Sequence, residues 1–576
     1  MFKIHKIKKI LSVKEKLNLT FVFIYSIINS ILEFMSIGIL IPIFTTLFNE
    51  KNDKIDFFLT YLPFSNLTFY NTMTILALCF FLVIFLKNIF SLYFVYKQGK
   101  LAFDIRQRLS YDLFKKYLSQ KYSYFFLKKS SVILRNIRAP NNFAVLIASL
   151  TTLVLDIVMV LVLVSFLFYV NVKATLSLVI IFGIFVYMLH KYWKQKLYKM
   201  GEEKQNIEAD ITKIISENIL SIKEIIIYGK QKYFLKIFGK KILTDSKLTF
   251  KVELIQQGPR IVIELLVAAL IFLLIFYLSF LSVAKEEFIF VLGSFSIVAI
   301  RLMPSVSRIT QSLQKIKFFT PTVELLYDEF ISDDDIIANL DTEKDNIKPR
   351  INFEILKIEN INYSYNKTKN VFSKNLNLII NKGDFIGIYG KSGSGKSTFI
   401  NLITGLLKPD SGTVKVDGQN IQNNIKLWQN NIGYVPQNVY LLDNSISNNI
   451  AFGERVDLIN QERVNEVARY AKIDEFVLNL SDKYNSSVGE QGMLVSGGQK
   501  QRIGLARAFY NDPDIIILDE ATVALDKKIE NEIMELILTL KDKKTFIIVS
   551  HDENILKNCN KVYSIETNSI IKKNNE

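Results

Sequence analysis

Residues 390–398 read Gly-Lys-Ser-Gly-Ser-Gly-Lys-Ser-Thr, which fits the pattern G-x-x-x-x-G-K-[ST]. The apolar run at 385–389 predicts a buried strand before this stretch, and the apolar spacing of 399–407 predicts a helix after it. Glycines let such a loop fold closely around a phosphate chain, with its N–H groups pointing inward. A glycine-rich turn with an unrelated Lys-Ser pair is the alternative, and the strand-loop-helix context disfavours it.

The loop residues have predictable roles at a bound nucleotide. Lys396 would reach the β- and γ-phosphates, and the Ser397 hydroxyl would be a ligand of Mg²⁺. The start of the helix adds further N–H donors and the positive end of the helix dipole. The predicted phosphate-binding residues are Gly390, Ser392, Gly393, Gly395, Lys396, Ser397 and Thr398.

The composition indicates a membrane protein with more than one domain. The chain has 576 residues, of which 50% are hydrophobic and 44 are Phe, and the mean hydropathy is +0.23. The formal net charge of +16 is typical of proteins that meet nucleic acid or anionic lipid headgroups. Cys79 and Cys559 lie far apart, and there are three histidines, which argues against a disulfide framework, a cysteine zinc site or a histidine-rich metal site.

Apolar segments near or above the roughly 20 residues that a membrane span needs fill the first part of the chain. They are 19–47, 72–96, 143–169, 172–190, 261–281 and 284–303. Buried helices of a large soluble domain are the alternative, and six such segments in one half of the chain disfavour it. Lysines precede the first segment, as in a signal peptide, but its length predicts an uncleaved first span.

The loops between the segments predict their orientation. Residues 97–142 hold eleven Lys or Arg and two acidic residues, and residues 191–251 are rich in lysine. The positive-inside rule therefore predicts that these loops and both termini of a multi-pass protein are cytoplasmic; the bacterial-type inner membrane that we also expect is implied by the family resemblance described below. Because much of the positive charge lies beside the membrane, lipid headgroups are favoured over nucleic acid as its partner.

The predicted fold class is multidomain, with an all-α six-helix transmembrane domain followed by an α/β P-loop ATPase domain. The predicted boundaries are 1–330 for the transmembrane domain, 331–350 for a polar linker and 351–576 for the ATPase domain. The external segment at 49–71 is predicted to be either a short helix in the outer membrane interface or an ordinary loop packed on the spans.

The long basic loops also show helical periodicity. Apolar residues recur every three or four positions at 101–118 and 207–238, amid charged residues. We therefore expect membrane helices to continue well into the cytoplasm. The turns between them, near 122–129 and 221–230, would contact the ATPase domain.

Two further apolar strands end in residues suited to catalysis. Residues 515–518 are followed by Asp519 and Glu520, and residues 545–549 are followed by Ser550 and His551. Ligands of open α/β sheets bind at the carboxyl ends of the strands. We expect Asp519 to hold Mg²⁺ through its water shell, Glu520 to polarise the attacking water, and His551 to touch the γ-phosphate.

With these residues in view, the chain resembles the ATP-binding-cassette (ABC) transporters. The matching stretches are 390–398 for Walker A, 515–520 for Walker B, 495–502 for the signature, 434–437 for the Q-loop, 362–365 for the adenine-stacking aromatic, 488–492 for an exporter-type loop and 522–526 for the D-loop. The resemblance covers the whole chain, because six spans followed by one cassette is the half-exporter arrangement.

The resemblance implies further roles and also has departures. Tyr365 would stack on adenine, and Gln437 would sense Mg²⁺ and face the membrane domain. Val495 stands where the family usually has Leu, and Val523 stands where it usually has Ser, which puts in doubt any hydrogen bond that this serine makes across a dimer. Asp552 follows the histidine, where exporters often carry a basic residue.

The signature implies a homodimer. Its Ser496 hydroxyl and glycine amides, at a helix start, form a second anion-binding site, which in the family caps the ATP held by the opposite subunit. The residues implied in this second site are Ser496, Gly498 and Gln499. Two composite ATP sites would clamp the cassettes together and switch the membrane cavity from inward- to outward-facing, which requires ATP to bind the closed state more tightly.

Basic residues within or at the ends of spans are costly in lipid and usually functional. They are Lys87 in the second span, Arg260 at the start of the fifth, and Arg301 and Arg308 at the end of the sixth. Doubled by a dimer, they would form a belt suited to a pyrophosphate. Snorkelling to cytoplasmic headgroups is the alternative for each. Acidic residues in the spans that would pair with them are Glu33, Asp156 and Glu264.

Two stretches point to a transported substrate. Residues 258–261 and 301–305 resemble stretches in flippases of undecaprenyl-pyrophosphate-linked oligosaccharides, and the aromatic segment at 55–63 fits that subgroup. The hypothesis is a flippase of a lipid-linked glycan. The alternatives are a multidrug, lipid A or peptide exporter, and a soluble ATPase that binds nucleic acid, which would share the cassette motifs but lack the six spans.

Overall fold

The computed structural model describes residues 3–39, 43, 69–280, 285–331, 350–365, 369–522, 525–541, 543–566 and 569–573. The chain divides into two compact units. The first contains the residues up to 336 except 121–126, and the second contains 121–126 and 337–576. Nearly all of the predicted linker and external segment lie outside the described residues, as does Val523 of the predicted D-loop.

The described part of the first unit is helical. Its helices are α1 (Ile4–Ile10), α2 (Val13–Gly38), α3 (Phe69–Leu118), α4 (Tyr124–Leu127, whose first three residues group with the second unit), α5 (Ser130–Val170), α6 (Val172–Leu220), α7 (Ile222–Ile227), α8 (Gln231–Phe280) and α9 (Lys285–Ile331). Among the described residues, α2, α3, α5, α6, α8 and α9 contain segments long and apolar enough to cross a membrane. The first unit therefore supplies six membrane-spanning helices, as predicted.

These helices are much longer than a bilayer is thick. Helices α3 and α8 have 50 residues each, about 75 Å at the helical rise per residue, whereas the hydrocarbon core is about 30 Å thick. The prediction that membrane helices continue past the apolar segments is confirmed, because α3 runs without a break to Leu118 and α6 runs to Leu220. The long helices stop where the two turns are predicted, and the short helices α4 and α7 lie there.

An ion pair with a buried carboxylate joins two of the long helices. Asp156 of α5 is fully buried, and Arg308 of α9 donates to both of its oxygens, from Nε at 3.0 Å and 3.0 Å and from Nη2 at 2.6 Å. Arg308 Nη2 also donates to Ser305 Oγ at 3.2 Å. A carboxylate in an apolar bundle is stable only with such partners, so this pair fixes the register of α5 against α9.

The second unit contains a mixed sheet and an antiparallel sheet. Its strands are β1 (Ile355–Tyr365), β2 (Lys369–Asn381), β3 (Phe385–Tyr389), β4 (Ser411–Val416), β5 (Gln419–Asn420), β6 (Ile432–Val435), β7 (Ile515–Asp519), β8 (Thr545–Val549), β9 (Lys561–Glu566) and β10 (Ser569–Lys573). The strand order is β10-β9-β3-β8-β7-β6 in the mixed sheet and β2-β1-β4-β5 in the antiparallel one. Only β10 runs antiparallel to its neighbour in the six-stranded sheet as described.

Helices of the second unit fill the connections between these strands. They are α10 (Lys396–Ile403), α11 (Ile425–Gln429), α12 (Ile446–Ile450), α13 (Gln461–Tyr470), α14 (Asp474–Leu478), α15 (Gly497–Tyr510), α16 (Lys527–Thr539) and α17 (Glu553–Leu556), with short 3-10 turns at Ile421–Asn423, Val456–Leu458, Lys483–Asn485 and Glu490–Gly492. The alternation of strands and helices confirms the predicted α/β class.

The central strands are buried on both faces. Phe385, Ile516 and Phe546 pack into one apolar core, while Ile386 and Ile547, the next residues along two of the same strands, pack into the other. This is why β3, β7 and β8 read as continuous apolar runs. Because the three strands are parallel neighbours, their carboxyl ends lie together, and the loops that follow them meet at one edge of the sheet.

The Asp156–Arg308 pair gives a test of the helical bundle. Asp156→Asn removes the charge that compensates Arg308, whose side chain is 45% exposed, so we expect a loss of about 1.5 kcal/mol in unfolding free energy, measured by thermal unfolding in nanodiscs. Glu217→Gln is the matched control, because the Lys213–Glu217 pair on α6 is exposed and 3.7 Å long, and it should cost less than about 0.5 kcal/mol. Equal stabilities of the two variants would contradict this assignment.

Candidate nucleotide-binding site

The predicted phosphate loop connects β3 to α10 in a tight turn. Gly393 and Gly395 have φ angles of 80° and 110°, in the left-handed region that favours glycine. A Cβ on Gly390 would lie 2.6 Å from the carbonyl oxygen of Ile565, so no larger residue fits there without a shift. The loop is therefore compact, as expected for a backbone cradle, and Gly395 is the N-cap of α10.

Lys396 begins α10 and folds back over the loop. Its Nζ donates to the carbonyl oxygen of Gly390 at 2.8 Å and lies 3.8 Å from Glu520 Oε1. Burial lowers the pKa of Lys396, and the neighbouring carboxylates oppose that shift. The ammonium therefore lies inside the turn of the loop, facing the acidic end of β7.

Ser397 and Thr398 differ in exposure. The Ser397 side chain is exposed, so its hydroxyl is accessible to a ligand, whereas Thr398 is buried and its Oγ1 lies 3.3 Å from the hydroxyl of Tyr365. The ring of Tyr365 is also in edge contact with Phe126, at 5.9 Å between centroids. The structure thus brings Tyr365, the predicted adenine-stacking residue, beside the phosphate loop.

The ends of β7 and β8 bring Glu520 and His551 together. Glu520 Oε1 lies 2.8 Å from His551 Nε2, and Glu520 Oε2 accepts a hydrogen bond of 2.6 Å from Gln437 Nε2. His551 Nε2 also lies 3.1 Å from Lys396 Nζ. Glu520 has a φ of 52°, which a residue with a side chain rarely adopts, so its backbone is strained. Four residues predicted from separate stretches of sequence therefore form one cluster.

Asp519 lies beside this cluster and is also buried. Burial raises the pKa of Asp519, and the nearby Glu520 charge adds to the shift. Its Oδ2 accepts a hydrogen bond of 3.4 Å from the hydroxyl of Tyr434. Oxygen donors from Ser397, Gln437 and Asp519 are the kind that Mg²⁺ prefers. Among the described residues no cluster of three or more His, Cys, Asp or Glu side chains forms a metal site.

The signature residues form a helix start elsewhere in the second unit. Ser496 is the N-cap of α15 and makes a capping box, in which its hydroxyl accepts from the N–H of Gln499 at 3.3 Å and its own N–H donates to Gln499 Oε1 at 2.8 Å. Gly498 lies in the first turn of the same helix.

Sequence reasoning missed two residues that support the cluster. Tyr434 bonds Asp519, and Gln501 donates from Nε2 to the carbonyl oxygen of Gln437 at 2.7 Å, which ties the predicted Q-loop to α15. Both lie inside motif stretches, but their partners are about 60 to 85 residues away in the chain. The pairing of β6 with β7 and the position of α15 bring these partners together, so no local signal reveals them.

The basic residues of the spans fall into different environments. Lys87 and Arg301 share one carboxylate, Glu33, at 2.6 Å and 2.8 Å. Arg308 is held by Asp156 as described above, and Arg260 is exposed on α8. The predicted pairing with acidic residues is therefore confirmed for Glu33 and Asp156. Glu264, the third acidic residue, is exposed on α8.

Comparisons with known proteins agree with this arrangement. A family model described as ABC transporter matches residues 373–523, and one described as ABC transporter transmembrane region matches residues 19–301. The alpha-hemolysin translocation ATP-binding protein HlyB of Escherichia coli O157:H7 is 29% identical over 509 residues, which cover 87% of this chain and 70% of that protein. The ATP-dependent lipid A-core flippase of Wigglesworthia glossinidia brevipalpis is 27% identical over 499 residues, covering 84% and 82%.

A solved structure supports the same fold. The structure of a bacterial Atm1-family ABC exporter with ATP bound matches with a TM-score of 0.75 and 17% identity, covering 97% of this chain and 94% of that one. Six apolar helices, a strand-and-helix ATPase domain and both family models thus agree. The chain belongs to the ABC exporters of the half-transporter type, in which ATP hydrolysis by one cassette per chain is coupled to transport across a membrane.

Proposed function

We propose that this exporter flips a polyprenyl-pyrophosphate-linked oligosaccharide from the cytoplasmic to the outer leaflet of a bacterial inner membrane. The observation that carries the proposal is the pair of cations Lys87 and Arg301, held together in apolar helices with one carboxylate between them. A net positive charge at this depth is costly unless it serves an anion. A pyrophosphate on a lipid tail supplies that anion in the same apolar surroundings.

The nucleotide site would work through the residues that the cluster brings together. Lys396 binds the β- and γ-phosphates, the loop N–H groups of 390–395 surround them, and Tyr365 stacks on the adenine. Glu520 polarises the attacking water, Gln437 links the site to the membrane domain, and His551 touches the γ-phosphate. Mg²⁺, held by Ser397, Asp519 and Gln437, would neutralise charge on the phosphates.

The working form would be a homodimer. Exporters with one membrane region and one cassette per chain work as dimers, which fits a signature that completes the partner's ATP site. In this arrangement Ser496, Gly498 and Gln499 of one copy close over ATP held by the other. The long basic loops and both termini face the cytoplasm, since the positive-inside rule places them there.

Export of lipid A is the second candidate function. A relative with this name is 27% identical over most of both chains, and lipid A phosphates would also suit the cations. Reconstitution with a panel of polyprenyl-linked sugars and lipid A separates the two candidates, because only the true substrate should cross the bilayer when ATP is supplied.

The role of Glu520 predicts a separation of binding from hydrolysis. Glu520→Gln removes the charge that polarises water but keeps the shape and the Gln437 contact, so hydrolysis should fall at least about 100-fold while ATP binding persists. Phosphate release and nucleotide binding measure the two effects. Glu532→Gln, a partly exposed carboxylate of α16 that pairs with Lys472 at 3.5 Å, is the matched control and should hydrolyse ATP normally. Near-normal turnover of Glu520→Gln would show that another residue polarises the water.

If each ATP site combines the phosphate loop of one copy with the signature of the other, two inactive variants should restore ATP hydrolysis when they form a mixed dimer. Lys396→Ala and Ser496→Arg should each be inactive as homodimers, because every site then carries one defect. In a mixed dimer one site carries both defects and the other carries neither, so ATP hydrolysis should return. Co-purification with two affinity tags isolates the mixed form.

The control for this experiment is another N-cap serine. Ser445 caps α12 through the N–H of Asn448, and Ser445→Arg should keep hydrolysis as a homodimer although a cap is lost. Mixed dimers that remain as inactive as either parent would contradict sites shared between copies.

The cations predict a charge-reversal effect on transport. Lys87→Glu combined with Arg301→Glu places three carboxylates together, so flipping of a polyprenyl-pyrophosphate glycan in proteoliposomes should be abolished. Lys173→Glu, on the exposed start of α6, is the control and should flip normally. Unchanged flipping by the double variant would exclude Lys87 and Arg301 from the substrate path.

A further inference from the structure

Glu33 lies on a buried polar stripe of α2. The stripe contains Ser26, Asn29, Ser30, Glu33 and Ser36, each at most 9% exposed. Residues three or four apart share one face of a helix, so these side chains form a single row in an otherwise apolar span. Polar side chains in a membrane helix face protein or a polar cavity rather than lipid. The stripe therefore faces the interior of the helical bundle, and Glu33 is its only charged residue.

Neighbouring helices hold the stripe in register. Ser91 Oγ of α3 donates to Asn29 Oδ1 at 2.7 Å, and one turn along both helices Lys87 Nζ reaches Glu33 Oε2 at 2.6 Å. Ser30 Oγ lies within 3.3 Å of the carbonyl oxygen of Leu155 on α5. The position of the Glu33 carboxylate is thus set by contacts on both sides, and it is not a mobile side chain at a surface.

The charges around Glu33 do not balance. Arg301 Nη1 contacts Oε1 at 2.8 Å, so each carboxylate oxygen contacts a different cation. Two positive groups share one negative group, which leaves one positive charge. The Lys87 side chain is 13% exposed, whereas that of Arg301 is 43% exposed and keeps an open side. The Arg308–Asp156 pair, by contrast, is balanced and bidentate.

We propose that Glu33 is a built-in competitor for the anionic headgroup of the substrate. Its carboxylate contacts Lys87 and Arg301 in the way that an oxygen of a phosphate would, so a headgroup can bind only by taking these cations from Glu33. A pyrophosphate carries more negative charge than one carboxylate, so it displaces Glu33 from the two cations. A neutral or weakly charged headgroup does not displace Glu33. Competition from Glu33 also keeps the affinity for the headgroup moderate. A transporter needs moderate affinity so that it can release its substrate.

This inference rests on the proposed function, because it assigns selectivity to the same cations. Glu33 is a specificity-determining residue in this scheme. Removing its charge should tighten binding of anionic lipids and weaken discrimination between strongly and weakly charged ones. A purely structural Glu33 would do neither, since its loss would only loosen the contacts of α2 with α3 and α9.

The test compares Glu33→Gln with wild type in nanodiscs that contain undecaprenyl pyrophosphate, undecaprenyl monophosphate, undecaprenol or lipid A. The measured quantity is the lipid concentration that gives half-maximal stimulation of ATP hydrolysis. We expect Glu33→Gln to lower it about tenfold for the pyrophosphate, the size of one charge-assisted contact, and to bring the monophosphate closer to the pyrophosphate. Glu264→Gln, an exposed carboxylate on another span, should change neither value.

A second variant keeps the test informative in case Glu33→Gln does not fold. Should Glu33→Gln fail to assemble, Glu33→Asp keeps the charge but shortens its reach, and it should shift the concentration in the same direction by a smaller factor. Unchanged or weaker binding of the pyrophosphate by the folded variant, or no response of wild type and variant to any anionic lipid, would overturn the inference. A response to lipid A in place of the undecaprenyl lipids, with the same dependence on Glu33, would support the inference and remove the glycan-lipid proposal.

Discussion

Both units of the protein depend on charged groups that are buried away from water. Lys396 and Asp519 are largely buried at the edge of a sheet, and Glu33 and Asp156 are buried in apolar helices. Taking such groups out of water costs free energy that only fixed partners recover. The fold supplies those partners from distant parts of the chain, so that the cost of burial is offset by contacts that also fix geometry.

In the second unit, the parallel sheet provides this placement. Strands β3, β7 and β8 are neighbours, so the loop at 390–395, the pair Asp519 and Glu520, and His551 all follow strand ends at one edge. The strained backbone at Glu520 is the cost of aiming its carboxylate at Gln437 and His551. Binding and hydrolysis are thus assigned to residues that the sheet, rather than any one loop, holds together.

In the first unit, ion pairs between helices hold the buried charged groups in place. The ion pairs between these long helices include a balanced pair, Asp156 with Arg308, and an unbalanced group, Glu33 with Lys87 and Arg301. The balanced pair suits a structural role. The unbalanced one leaves a positive charge that suits an anion, which is why the proposed substrate is anionic.

Much of this could be predicted from sequence because the signals are local. The loop at 390–398, the apolar strands before Asp519 and His551, and six apolar segments each depend on adjacent residues. Helix lengths beyond the membrane also followed from periodicity, and the predicted breaks at 122–129 and 221–230 fall where the long helices stop. What the sequence did not reveal are contacts across the fold, such as Tyr434 with Asp519 and Gln501 with Gln437. Neither could it show that Glu33 contacts two cations at once, because that requires three helices to meet.

The central claim is that hydrolysis at this site moves an anionic lipid across the bilayer. The most direct measurement places a fluorescent polyprenyl-pyrophosphate glycan in sealed proteoliposomes and follows its exposure to an external quencher while ATP hydrolysis is recorded in the same sample. The account predicts that the exposed fraction changes with ATP and stays constant with a non-hydrolysable analogue. Steady hydrolysis without any redistribution, for this lipid and for lipid A alike, would contradict it.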